Sequence, residues 1–228
     1  MADPHLVSLM LADARLPVGG HTQSAGLEPA VTAGLVADGD GVAAYVADRL
    51  ATVVLVEAGT AVVARHVALG DGGAGGTPDE LLDVEAHWAA RTPSRALRTA
   101  SRRVGRGWLR LAARVWPAVL DHLPPDAEVA RPVVLGVVGA VTGLDAAQVA
   151  RLAAYDDAQT VTAASLKLLP SDPVAATARL AAAGPHLEAV VAATAHLSDP
   201  AAIPAAGAPM TDVLAERHAR ATMRLFHA

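Results

Sequence analysis

The stretch that most limits what this chain can become is residues 42–69, VAAYVADRLATVVLVEAGTAVVARHVAL. Its apolar residues fall on every side at helical spacing, and it carries few charges. A helix with no polar face is stable in water only inside a bundle. Thr52-Val53-Val54 and Gly59 lower its intrinsic helix propensity, so packing must hold it. The spacing predicts one long central helix over 42–69, with the other elements wrapped around it.

The rest of the sequence supplies those elements. No segment alternates apolar and polar residues over strand length, while helical periodicity recurs throughout. Helices are expected over 4–12 and 22–32. Between them Pro17 and Gly19-Gly20 force a sharp turn, because proline fixes φ and glycine accepts φ > 0. Thr22 or Ser24 can cap the second helix, and Glu28 lies near the positive end of its dipole. A short acidic helix over 78–90 has Pro78 at its start, where proline is best tolerated. Further helices are expected over 93–116, 133–142 and 145–168. Two more are bounded by Pro170, Pro173 and Pro185 and end near His196, and a last one covers 211–226. Gly136 and Gly139 suit close helix approach. The expectation is an all-α single domain over 1–228, a helical bundle of about nine or ten helices. Residues 70–77, GDGGAGGT, form a flexible surface loop in this reading, and 210–226 form a partner-docking helix.

Composition narrows the function classes. The chain has no cysteine, which excludes disulfides and thiolate metal sites. No apolar run approaches 18 residues free of charge or glycine, and the start lacks a signal-peptide layout, so a cytoplasmic protein is the expectation. The net charge of −5 argues against general nucleic-acid binding. There is no phosphate-binding loop, since Gly136, Gly139 and Gly143 lack both its spacing and a preceding strand. The histidines (5, 21, 66, 87, 122, 186, 196, 218 and 227) are scattered, without HExxH or HxH. Ser24 lies in Ser-x-Gly-Leu-Glu, not GxSxG, and reads as a helix cap. A hydrolase using Ser24, His21 or the Asp156-Asp157 pair needs a pocket that brings them together.

One feature points outward. Arg91, Arg95, Arg98, Arg102, Arg103, Arg106, Arg110 and Arg114 are eight of the chain's 18 basic residues, and no acid occurs between 91 and 120. On a helix, seven of them follow one face that drifts by about 160°, with Arg103 set off from it. Leu97, Val104, Trp108, Leu111 and Val115 lie opposite. Such a face either pairs with acids of the neighbouring helix, such as Asp79, Glu80, Asp83 and Glu85, or receives an acidic partner protein through bidentate arginine contacts. DNA is a third reading, weakened by the absence of interleaved aromatics.

Four blocks then occur in order. The first is Leu16-Pro17-Val18-Gly19-Gly20 with Ser24-Ala25-Gly26-Leu27-Glu28. The second is Arg98-Thr99-Ala100-Ser101 with Gly105-Arg106. The third is Pro132-Val133-Val134-Leu135-Gly136 with Gly143-Leu144, and the last is Pro209, Asp212, Arg217-His218 and Arg224-Leu225-Phe226. Together they resemble the urease accessory protein family UreF, with departures at Gln23, at Arg131 and over Lys167 to Pro173. The resemblance implies an all-α, commonly dimeric adaptor that is not an enzyme. Such proteins bind UreD (also called UreH), recruit the GTPase UreG, and serve nickel insertion into the urease apoprotein. Nickel and GTP would be handled by those partners, with no intrinsic cofactor, no nucleic acid and no membrane. The partner contacts it implies are Pro17, Gly19, Gln23, Ser24, Gly26 and Glu28 in the opening, Arg98, Arg102 and Arg106 in the arginine helix, and Asp212, Arg217, His218, Arg224 and Phe226 at the end. Met210, Leu214, Ala221 and Leu225 would share one face of the last helix. A generic all-α interaction or regulatory domain is the alternative.

Overall fold

A computed structural model describes residues 3–70 and 75–226, with the side chain of His21 aside. Residues 71–74 of the expected loop, and His227, lie outside the described residues. The fold is all-α, with eleven α-helices among the described residues: α1 (Pro4–Leu11), α2 (Leu27–Thr32), α3 (Gly39–Ala51), α4 (Val53–Leu69), α5 (Pro78–Ala90), α6 (Arg95–Val115), α7 (Arg131–Thr142), α8 (Ala146–Leu168), α9 (Pro173–Ala182), α10 (Gly184–Thr194) and α11 (Pro209–Ala219).

Helix α4 is the axis of the bundle. It packs most extensively on α7 and then on α8, with α5 and α10 on its remaining sides. Ten of its residues are buried, from Val54 to Ala68. Close approach to α7 depends on Gly136, where a Cβ would overlap the Ala61 carbonyl oxygen and lie 2.7 Å from the backbone nitrogen of Arg65. Helix α6 packs on α7, and α11 lies across α6 and α2. The start signals act as their chemistry dictates. Thr77 and Glu80 form a reciprocal capping box on α5, Asp145 and Gln148 do the same on α8, and Ser94 caps α6.

Three expected boundaries differ. The long helix predicted over 42–69 is two helices, α3 and α4, bent by 43°. Thr52 leaves helical geometry at φ −130° and ψ −94°, and its hydroxyl donates to the Asp48 carbonyl at 2.7 Å. A β-branched residue that back-bonds its own helix is a natural breaking point, and this split adds one helix to the expected number. Among the described residues no single helix is long and apolar enough to cross a membrane, and in the bent α3–α4 pair that together has the composition, α4 buries ten of its 17 residues in the bundle.

The helix predicted over 22–32 begins only at Leu27. A 3-10 turn covers Gly20–Thr22, and both Ala25 (φ 50°) and Gly26 (φ 80°) are left-handed. The helix predicted over 211–226 stops at Ala219, so Ala221 and Leu225 no longer continue a face with Met210 and Leu214. Residues 220–226 turn back over the body of the protein instead.

Candidate functional site

The turn and the tail, at opposite ends of the sequence, meet at one corner. On the N-terminal side Gly19 takes φ 83°. The backbone of Val18 then lies so close to α6 that a Cβ on Gly107 would overlap its carbonyl oxygen. The Tyr45 hydroxyl donates to the Ala25 carbonyl at 2.9 Å, which holds the left-handed Ala25-Gly26 pair against α3. A side chain at Gly26 would meet that hydroxyl at 2.7 Å. Ser24 is fully buried, and its Oγ accepts from the Glu28 N–H at 3.3 Å, one of the donors a helix start leaves unpaired. Its role is structural.

Glu28 joins the two ends. Its carboxylate is buried in the first turn of α2 and accepts from the backbone N–H groups of Leu225 at 2.7 Å and Phe226 at 2.8 Å. Charge-assisted bonds of this kind are about twice as strong as neutral ones. His218, also buried, places Nε2 3.2 Å from the Phe226 carbonyl oxygen and 3.5 Å from the Glu28 carboxylate. Lys167 lies over the Phe226 ring at 5.2 Å. The fold thereby explains the early end of α11: Glu28 captures backbone groups that a continued helix would turn inward on itself.

The first turn of α6 completes the corner. Two acids of α11 face its free N–H groups. Asp212 accepts from the Ser94 N–H at 3.2 Å, while Glu216 accepts from the Ala96 N–H at 2.9 Å and the Ser94 hydroxyl at 2.7 Å. Acids are favoured at this end of a helix. The Ala96 N–H and the Ser94 hydroxyl hold the Glu216 carboxyl below the usual range. Burial raises that of Asp212, against the pull of the Ser94 N–H.

The arginines of α6 do not form a single strip. Arg91 donates to the carbonyls of His87, Ala201 and Ile203, all at 2.8–2.9 Å. Arg98 donates to Thr92 at 2.6 Å and Pro93 at 2.8 Å. Arg102 pairs with the buried Glu85 at 2.8 Å and stands 5.9 Å from the Trp88 ring, while Glu85 also accepts from the Ala130 N–H. Arg106 pairs with Glu128 at 2.8 Å. The expected pairing with the α5 acids therefore holds at Glu85. Arg95, Arg103, Arg110 and Arg114 are exposed and have no bonded partner among the described residues. Of the residues expected to contact partners, Gln23, Ser24, Gly26, Glu28, Asp212, His218, Arg224 and Phe226 gather at the corner. Arg102 and Arg106 are engaged by Glu85 and Glu128, Arg98 folds onto its own helix start, and Pro17 and Arg217 are exposed.

Behind the corner runs a buried ionic network. Arg49 donates from Nε to Asp157 at 2.8 Å, with both side chains buried. Arg131 pairs with Asp156 and, at 3.3 Å, with Glu57, which also accepts from the Trp88 indole at 2.8 Å. These residues line a cavity of about 130 Å³ together with Gln23. Both aspartates of the Asp156-Asp157 pair are thus taken up by arginines, and Ser24 is capping a helix. Among the described residues the constellation a hydrolase needs is not assembled, the His21 side chain lying outside them. Among the described residues no group of three histidine, aspartate or glutamate side chains could hold a metal ion. All three departures from the family pattern belong to this region: Gln23 at the cavity rim, Arg131 in the network, and Lys167 on Phe226. Tyr45, Glu216 and the Arg49–Asp157 pair escaped sequence reasoning. Arg49, one of four charged residues over 42–69, was the available signal.

Comparison with known proteins covers the body of the fold. The family model described as UreF matches residues 36–184. Three proteins named "Urease accessory protein UreF" align along nearly their whole length. That from Mycobacterium sp. (strain JLS) is 39% identical over 222 residues, covering 96% of each chain. That from Mycolicibacterium vanbaalenii is 38% identical over 223 residues, again 96% of each. That from Mycobacterium tuberculosis (strain ATCC 25177 / H37Ra) is 35% identical over 222 residues, 96% of this chain and 97% of the relative.

Proposed function

Since the chain belongs to the UreF family of urease accessory proteins, we propose that it is the adaptor of the urease maturation complex. In this reading it binds UreD (UreH) through the corner, recruits the GTPase UreG, and promotes nickel insertion into the urease apoprotein. It catalyses no reaction itself, works in the cytoplasm, and acts as a pair of copies within the complex. Nickel and GTP are held by its partners.

The observation that carries the reading is the convergence of the opening and closing motifs on one surface. Two motifs nearly 200 residues apart in sequence are joined there by Glu28. The side chains around that junction suit a protein partner: Met223 is 91% exposed and Leu225 71%, beside the exposed Arg217 and Arg224. Apolar side chains displayed among charged ones are what a docking surface offers.

Reconstitution tests it. Purified apo-urease, UreD, UreG, nickel and GTP are mixed with or without this chain, and ammonia release is followed. Nickel-dependent activity that requires the chain is expected. Equal activation in its absence would overturn the reading. Sedimentation of the assembled complex reports whether two copies are present.

A further inference from the structure

The exposed arginines beside the corner define a site of their own. Arg95 and Arg103 lie eight residues apart on α6 with Thr99 midway, an i, i+4, i+8 ladder that sets their Cα atoms about 12 Å apart along one face. Arg224, from the turned-back tail, and the amide of Gln23 close the other side. Together they enclose a concavity of about 330 Å³ with a floor of small residues, Ala96, Ala100 and Ala219.

Three features mark this as a place for an added anion rather than an ordinary solvated face. The neighbouring Arg91, Arg98, Arg102 and Arg106 all donate to groups of this chain, whereas Arg95, Arg103 and Arg224 donate to none among the described residues. Among the described residues the lining has one carboxylate, Glu216, which is turned towards the Ser94 hydroxyl and the Ala96 N–H. The small floor leaves room for backbone to lie between the guanidinium groups. Among the described residues no aromatic side chain lines the concavity, and the chain carries a net charge of −5, so neither stacking nor a broad positive field favours nucleic acid.

We propose that the Arg95–Arg103–Arg224 concavity receives an extended acidic segment of a partner protein, with two carboxylates four residues apart. In an extended strand such residues point the same way and are separated by about 13 Å, matching the Arg95–Arg103 spacing. Each guanidinium can take a carboxylate bidentately, and Gln23 can bond the intervening backbone. The inference rests on reading the corner as a docking surface.

The test uses the whole chain and short labelled peptides in fluorescence anisotropy. One peptide carries two glutamates four positions apart, and a second has the same composition with the glutamates adjacent. The first is expected to bind saturably at low salt, and more tightly than the second. The Arg95→Ala/Arg103→Ala double variant should lose about tenfold or more in affinity, corresponding to about 1.4 kcal/mol, with an unchanged melting profile. Arg110→Ala/Arg114→Ala, on the same helix but outside the concavity, should lose less than about twofold. No saturation at low salt, equal losses in the two double variants, or tighter binding of a single-stranded oligonucleotide would overturn the proposal. The reconstitution assay separates it from the functional reading. A chain that activates urease but ignores the peptides removes this site alone, and one that binds them but is dispensable for activation removes the adaptor role alone.

Discussion

Arginine serves two opposite purposes in this molecule. Arg49 is buried inside the bundle with Asp157, Arg131 lies mostly covered between Glu57 and the partly exposed Asp156, and Arg102 lies half-buried on Glu85. Arg95, Arg103 and Arg224 stand in solvent around an open concavity. The inner set is fixed by what its removal would leave behind, an uncompensated charge out of contact with water. The outer set contributes little to folding and is free to be chosen for a partner. Position along the sequence does not separate the two sets, since Arg102 and Arg103 are adjacent. The direction in which the helix turns each side chain does.

Several substitutions would break or sharpen that division. Asp157→Ala strands Arg49 in the core and should cost about 3–5 kcal/mol in denaturant unfolding; a loss under 1 kcal/mol would place Arg49 with the outer set. Arg102→Ala leaves Glu85 buried without its ion pair and should cost about 2 kcal/mol, so reversing this residue damages the fold as well as any interface. Glu28→Ala removes two charge-assisted bonds at the corner and should cost about 1–2 kcal/mol. Its distinguishing sign is local, because hydrogen exchange at the Leu225 and Phe226 amides should quicken far more than in α4.

A smaller effect concerns pH. Burial pushes the Glu85 carboxyl above the usual range, against the Ala130 N–H and Arg102, which pull it down. The native state therefore holds this proton to higher pH than the unfolded chain. The associated stability is fully present below the ordinary glutamate pKa of about 4.3 and is lost as pH rises through the raised value. In Glu85→Gln the decline in stability above about pH 4 should be shallower than in the parent, and an unchanged slope would argue against the assignment. Smallest of all, Arg103→Glu should leave unfolding within about 0.5 kcal/mol of the parent while weakening binding of the acidic peptide.

How much of this was legible in the sequence depends on how local the cause is. Thr77-Pro78 and Glu80, Ser94, and Asp145 with Gln148 act within one helical turn, and the starts they mark are where the spacing put them to within two residues. The all-α class and the buried middle of α4 follow from periodicity and apolar content. The end of α11 was not legible, because its cause is a carboxylate at position 28. Nor was the start of α2, which waits on a hydroxyl from Tyr45 to hold Ala25 and Gly26 left-handed. The break at Thr52 was visible as weak propensity, but whether tertiary packing would override it is not a local question. At the corner, the two terminal motifs meet through Glu28, a contact that neither motif shows in its own spacing. The arginine pattern anticipated the pairing with Glu85, but a helical wheel cannot tell which other guanidinium groups find carbonyls and carboxylates in the folded chain.

The Glu28 carboxylate has a consequence for timing. It binds backbone groups 197 and 198 residues away, and contacts so remote in sequence form only after the intervening chain has found its place. A surface built on that junction exists on the finished fold and on little else. A partner docking there, as proposed above, would pass over chains still folding.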